Sequence, residues 1–313
     1  MSRSRTSKCE HSLNANRNYE NAARHEKDKH ENRCEWCKRS FGQGHGCGTR
    51  ATARRPRGSG DLAHARDHHC AVSLPVWGLQ PARKPSQAYA GLDRLLIIPA
   101  LEPGKRAAQN VAAIDAAVRA GVKHIVFMST AGARQEEEPA LGASYWRGEQ
   151  HLIATAPTWT ILRMNYYAEG LVQQAQASLD QGVLTGLAEN RVAFVARGDV
   201  AAAAAGILIG DGHAGAIYNA TGPERLSGAE RATLIAEITG RPLGFLAITE
   251  EQLRAGLTRA GLPVEIVNIA ISIQASFAAG AFDIVTGDVE RLGGRPPKPL
   301  RDVLSGALKS PSA

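Results

Sequence analysis

The sequence predicts an α/β fold, half of a doubly wound parallel sheet followed by a smaller, mostly helical lobe, and three observations carry that prediction. The runs RLLIIPA (94–100), HIVFMST (124–130) and WTILRMN (159–165) are apolar without alternation, as strands are in a sheet covered on both faces. Their starts lie about one βαβ unit apart. Between the first two, Val111, Ile114 and Val118 recur at helical spacing until Gly121 closes the helix.

The remaining elements follow in order. A helix near 144–155 separates the second and third strands. After Asn165 the pattern changes: AENRVAFVARGDVAAAAAGILIG holds a short strand and an Ala-rich helix that Asp199 is expected to cap, and AIYNATG is another short strand. Ser227 with Glu230, and Thr249 with Gln252, are capping-box pairs, and Gly240 followed by Arg241 and Pro242 is a helix stop. The apolar stretch 263–285 is broken by Glu265, Asn268 and Gln274, which predicts a packed helix and not a membrane span.

The N-terminal quarter differs from the rest. Residues 1–85 hold 17 Lys and Arg against 8 Asp and Glu, whereas residues 86–313 hold 20 against 22. All five cysteines lie there, and no Val or Ile precedes Val72, so this stretch is not expected to supply inner strands. Residues 1–33 and 50–67 read as disordered, and the one apolar cluster, AVSLPVWGL, is interrupted by Pro75. The expected division is a basic, Cys- and His-containing segment over 1–87, the α/β domain with its lobe over 88–308, and a tail over 309–313. No apolar run suits a signal or a membrane span, so the cytoplasm is the expected compartment and unpaired thiols are ordinary.

GLDRLLIIPA, NVAAIDAAVRAGVKHIVFMST, YWRGEQHLI, WTILRMNYYAEGL, YNATGPERLSGAE and VTGDVERLGGRPPKPLRDVL, in this order and spacing, resemble the NmrA-like atypical short-chain dehydrogenases, in particular the NAD(P)H:quinone oxidoreductase-like branch. The resemblance covers about residues 88–308. It implies an NAD(P)-binding Rossmann-like domain, incomplete here, with a C-terminal substrate lobe. The family begins with a strand, a T-G-A-T-G-x-x-G loop and a helix, then two further βα units. Its glycines let the backbone approach the pyrophosphate. No copy of that loop occurs in this sequence; GQGHGCG (42–48) has glycines but lacks a strand before it and an apolar helix after it. The cofactor-phosphate half is therefore expected to be missing, with unrelated sequence in place of about 90 residues at roughly 30 per unit.

Short-chain dehydrogenases pair a tyrosine with a lysine four residues on, whose charge lowers the phenol pKa. Here Tyr145 is followed at that spacing by Glu149, which would do the opposite. Arg147-Gly148-Glu149 resembles the Lys-Gly-Glu of several NmrA-like proteins with Arg for Lys. Tyr145 and Arg147 are the catalytic candidates; Arg147 would hold a ribose or phosphate oxygen, unless it is a solvated helix arginine. Ser129 and Thr130 would touch a nicotinamide ribose, or merely end their strand. Asn165 and Tyr166 would face the nicotinamide and the substrate, since ligands bind beyond the carboxyl ends of such strands.

The resemblance implies NADP or NAD as cofactor, with NADPH favoured, and hydride transfer to a small flat acceptor such as a quinone. A non-enzymatic, dinucleotide-sensing regulator is the alternative. A second alternative is a zinc-containing, nucleic-acid-binding N-terminus fused to a degenerate domain. Cys34-x-x-Cys37 is half of a zinc site, but Cys47 and Cys70 follow at irregular spacing, so zinc is not expected. The basic segment is expected to make only nonspecific contact with polyanions, and no membrane contact is expected.

Overall fold

The computed structural model describes residues 70–73, 89–100, 102, 104–138 and 140–309, with the backbone alone for 70–73. A five-stranded parallel sheet is built from β1 (Cys70–Ser73), β2 (Arg94–Ile97), β3 (His124–Thr130), β4 (Trp159–Met164) and β7 (Ala216–Ala220), side by side in that order. Helices α1 (Arg106–Arg119) and α2 (Leu141–Thr155) make the crossovers from β2 to β3 and from β3 to β4. Along these strands successive side chains enter opposite layers. Leu95, Ile97, Ile125, Phe127 and Ile161 pack with Ile114 of α1 and Leu152 of α2. Leu96, Val126, Met128 and Leu162 pack with Val200, Ala203, Ala204 and Ile207 of α4 (Arg197–Ile209). Burial on both faces is why the centres of these runs are apolar without alternation. Fully burying Ile114 or Leu152 contributes about 1.5–3 kcal/mol each.

The small residues of α4 serve a close crossing. A Cβ on Gly206 would fall 1.9 Å from the carbonyl oxygen of Leu292, in the short helix α8 (Asp288–Gly293) that lies across α4. Asp199 does not cap α4. It sits in the first turn, its carboxylate accepting from the Lys298 backbone N–H at 2.6 Å and pairing with Arg295 at 2.7 Å, so it ties α4 to the C-terminal segment instead.

The lobe comprises α3 (Ala168–Leu179), a parallel pair of β5 (Val183–Leu187) with β9 (Gly244–Ile248), an antiparallel pair of β6 (Arg191–Val192) with β8 (Leu226–Ser227), and helices α5 (Gly228–Thr239), α6 (Glu250–Arg259), α7 (Val264–Ala278) and α9 (Leu300–Leu308). Leu171, Leu184, Phe194, Ile235, Phe277, Phe282 and Leu304 form its core. Both expected capping boxes are present, at Ser227–Glu230 and Thr249–Gln252, and Gly240 ends α5 with φ 69°. The stretch 263–285 contains α7, and no helix among the described residues is long and apolar enough to cross a membrane.

Among the described residues β1 is an edge strand, and it lies before residue 88. The strand order runs one way from β1 to β7, so the described sheet is one half of a doubly wound arrangement. Cys34, Cys37 and Cys47 lie outside the described residues, as does most of the N-terminal segment; Cys70 opens β1. Among the described residues no three His, Cys, Asp or Glu side chains group as a metal site would need.

Candidate functional site

Because β2, β3, β4 and β7 are parallel, their carboxyl ends share one edge, where open α/β sheets bind ligands. Here the chain leaves the sheet at Pro99–Ala100, Ala131–Gly132, Asn165–Tyr167 and Thr221–Gly222. Most of the candidate residues lie at or near this edge.

Ser129 and Thr130 end β3 and are both buried. The Ser129 hydroxyl donates to Glu149 Oε1 at 2.5 Å. Arg163 of β4, opposite Ser129 in register, grips the same carboxylate with Nε at 2.9 Å and Nη2 at 2.6 Å. This fork holds the Arg163 guanidinium charged above its ordinary range, chiefly through the Glu149 hydrogen bond. Glu149 occupies the position where a lysine would serve Tyr145, yet it is turned to β3 and β4 and fully engaged there. The Tyr145 phenol is raised, by burial first, and Arg106 opposes that shift. Glu149 was expected to be its perturber and is not among the causes.

Tyr145 lies in the first turns of α2, with the Arg106 guanidinium 5.0 Å from its ring centroid. Arg106 donates through Nε to the Ala100 carbonyl at 2.7 Å. Tyr167 packs on the opposite layer of the sheet, beside Met128, with its hydroxyl 3.8 Å from the Met128 sulfur and the Arg197 guanidinium 5.2 Å from its ring. Burial pushes the Tyr167 phenol up to about 12, and the neighbouring Tyr145 adds to that shift. Neither Arg106 nor Arg197 has a carboxylate partner for its side chain among the described residues.

Asn165 is buried and donates through Nδ2 to the carbonyls of Ala193 at 2.9 Å and Phe282 at 3.1 Å, joining the sheet edge to two lobe segments. Its Oδ1 is buried without a partner among the described residues. Tyr166 packs edge-on against Phe277 at 5.0 Å, Phe194 at 6.1 Å and Phe282 at 6.2 Å, in the aromatic centre of the lobe. Arg147 is exposed and sits 3.4 Å from Glu138. The edge thus brings together Ser129, Thr130, Tyr145 and Asn165, while Tyr166 and Arg147 point into the lobe core and to the surface. Sequence reasoning passed over Arg106, Met128, Tyr167 and Arg197. The Tyr-Tyr pair at the end of β4 was a signal, but irregular backbone after a strand has no period that says which ring turns to which face.

An open cleft of about 850 Å³ lies between Glu169, Ala196, Gly198, Asp199 and Arg295–Pro299. None of the candidate residues lines it. Its two carboxylates are already engaged, Glu169 by the Arg197 N–H and Asp199 by Arg295, so it does not define the site.

The sequence model of a family described as NAD(P)H-binding matches residues 48–209. The NAD(P)H azoreductase of Xenophilus azovorans is 30% identical, over 75% of this chain and 83% of its own. The crystal structure of an NADPH-dependent quinone oxidoreductase from Escherichia coli, complexed with NADPH, superposes with a TM-score of 0.67 at 28% identity, covering 71% of this chain and 78% of that one. The triphenylmethane reductase of a Citrobacter species superposes with a TM-score of 0.65 at 27% identity, covering 72% and 79%. Both the family match and the described sheet begin before residue 88.

Proposed function

Because the chain belongs to the NAD(P)H-binding family, we propose that it is an oxidoreductase that passes hydride from NAD(P)H to a flat, electron-poor acceptor such as a quinone. The observation that carries this reading is the set of groups at the carboxyl edge. Two neutral phenols, the Thr130 hydroxyl, the orphaned Asn165 Oδ1 and two guanidiniums without carboxylate partners lie at or near the edge where the fold places its ligands.

This donor set suits the nicotinamide end of the cofactor. The Asn165 Oδ1 would accept from a carboxamide N–H, the Thr130 hydroxyl would meet a ribose hydroxyl, and Arg106 would offset phosphate charge. When bound, NAD(P)H supplies a hydride. Ser129 and Glu149 act indirectly, by holding the end of β3 against Arg163. Among the described residues no turn with repeated glycines joins a strand to a helix, so what they contribute is binding at the nicotinamide and acceptor end. With no lysine beside Tyr145, a dedicated proton donor is not part of the reading. Transfer to a quinone depends on orientation and water exclusion, and the product's proton comes from solvent.

NADPH is proposed as the preferred form, in line with the solved quinone oxidoreductase. The test is a fluorescence titration of the purified chain with NADPH and NADH, followed by NADPH consumption with and without a quinone. Saturable binding with quinone-dependent oxidation is expected. No binding at millimolar NADPH would overturn the reading.

A further inference from the structure

A strap of irregular chain, residues 281–287, follows α7 and crosses the carboxyl edge of the sheet. At the exit of β3, a Cβ on Gly132 would lie 3.6 Å from the Phe282 ring and 3.7 Å from the Ala281 methyl. At the exit of β4, Asn165 Nδ2 donates to the Phe282 carbonyl at 3.1 Å and to the Ile284 carbonyl at 3.4 Å. At the exit of β7, the Thr286 N–H donates to the Thr221 hydroxyl at 3.0 Å, and the Thr286 hydroxyl donates to the Asn219 carbonyl at 2.5 Å. The strap's one carboxylate is engaged as well, Asp283 pairing with Arg225 at 3.3 Å. Between the β4 and β7 anchors stand Ile284 and Val285, 36% and 43% exposed. Among the described residues, the other large apolar side chains so exposed lie at the opposite edge of the sheet (Ile153, Ile209, Ile217) or in β9 and α7 (Leu246, Val264). Exposed apolar residues scattered singly need no explanation. Two adjacent ones, fixed at both ends where the fold binds its ligands and beside the orphaned Asn165 Oδ1, mark a surface that a ligand covers.

We propose that this strap is the wall of the site that meets the electron acceptor, with Ile284 and Val285 as specificity-determining residues, so that the acceptor is an uncharged, apolar ring system. The assignment rests on the hydride-transfer reading above and names its substrate class. With its polar groups committed to the anchors, the strap offers two branched aliphatic side chains. These gain by covering a flat ring and can neither hydrogen-bond nor pair a charge. A sulfonate or carboxylate on the acceptor would lose its hydration against them without finding a partner. Both side chains are β-branched and stiff at χ1, which gives the wall a fixed shape. Asn165, Thr221 and Thr286 act through the strap, as positioning residues that hold it across the strand ends.

The test is equilibrium dialysis of the full chain against 1,4-naphthoquinone and 1,4-naphthoquinone-2-sulfonate, with NADPH oxidation by each quinone measured alongside. The sulfonate makes the ring a better hydride acceptor, so a preference for the unsubstituted quinone reports on binding and not on reactivity. The proteins are the wild type, the double variant Ile284→Ser with Val285→Ser, and the conservative Ile284→Leu. Both side chains are already in water, so the serines should leave the urea midpoint and NADPH affinity unchanged. The wild type is expected to bind naphthoquinone more tightly than its sulfonate. The double serine variant should lose roughly tenfold in naphthoquinone affinity and most of that preference, while Ile284→Leu keeps both. Equal affinity of the wild type for the two quinones overturns the assignment, as does unchanged naphthoquinone affinity in the double variant or no naphthoquinone binding by the wild type. Quinone-dependent NADPH oxidation that is indifferent to the serines would overturn the wall and leave hydride transfer standing. Serine-sensitive naphthoquinone binding without any NADPH oxidation would sustain the wall and overturn the proposed function.

Discussion

Glu149 shows how a single residue can be legible in spacing and illegible in role. The sequence places it one helical turn after Tyr145, where a lysine would activate the phenol, and the structure keeps that spacing. Its partner Arg163 is on a neighbouring strand, 14 residues on, and Ser129 is on a third element, so the triad exists only after the sheet has formed. Restoring the tyrosine–lysine spacing by Glu149→Lys should therefore fail as a gain of function. The new ammonium would face Arg163 in a site where Glu149 is 1% exposed. Breaking such a pair costs about 3–5 kcal/mol, and reversing the charge costs at least as much. Denaturant unfolding should show that loss, with no activity dependent on a lowered phenol pKa. A Glu149→Lys protein of wild-type stability would mean that the triad is not formed in solution. Ala188 is a simpler case. It holds φ 56° in the turn between β5 and β6, a left-handed conformation that L side chains disfavour. Ala188→Gly should raise stability by about 1 kcal/mol, measured the same way.

At the scale of elements, what was local was readable. Capping boxes need residues only three apart, and both expected ones formed. Removing the Ser227 hydroxyl with Ser227→Ala should cost about 1 kcal/mol. Asp199 has the composition of a cap and a different task, because its partners Lys298 and Arg295 lie nearly a hundred residues later in the chain. Asp199→Ala removes the acceptor of a backbone N–H and one side of an ion pair whose carboxylate is 1% exposed. It should cost more than Ser227→Ala, about 1–3 kcal/mol, and should loosen α9 as well as α4. Urea midpoints of the two variants side by side decide the order. A smaller loss for Asp199→Ala would assign that carboxylate to the helix terminus after all.

For the whole molecule, the sheet was legible because burial on both faces makes the centres of its strands apolar without alternation, and the lobe was not, because its short strands pair across 34 to 61 residues with no period to announce them. The carboxyl edge inherits both conditions: its strand ends were foreseen, while the packing of Tyr166 and Tyr167 into opposite layers was not. That packing makes the protein's stability sensitive to alkali. Burial raises the phenols of Tyr145, Tyr166 and Tyr167, the last to about 12, whereas an unfolded tyrosine ionises near 10. Below pH 10 both states keep their phenolic protons and the contribution is present in full. Between pH about 10 and 12 the unfolded chain releases protons that the folded chain retains, so stability falls as pH rises through that window and levels off above the folded value. For Tyr167 alone the loss is roughly 2–3 kcal/mol, and Tyr145 and Tyr166 add to it. Tyr167→Phe removes its share, so the plot of unfolding free energy against pH should be visibly shallower for the variant over pH 10–12 and coincide in slope with the wild type below pH 9. Equal slopes above pH 10 would mean that water already reaches the Tyr167 hydroxyl, and the buried phenol pair at the sheet edge would lose its physical basis.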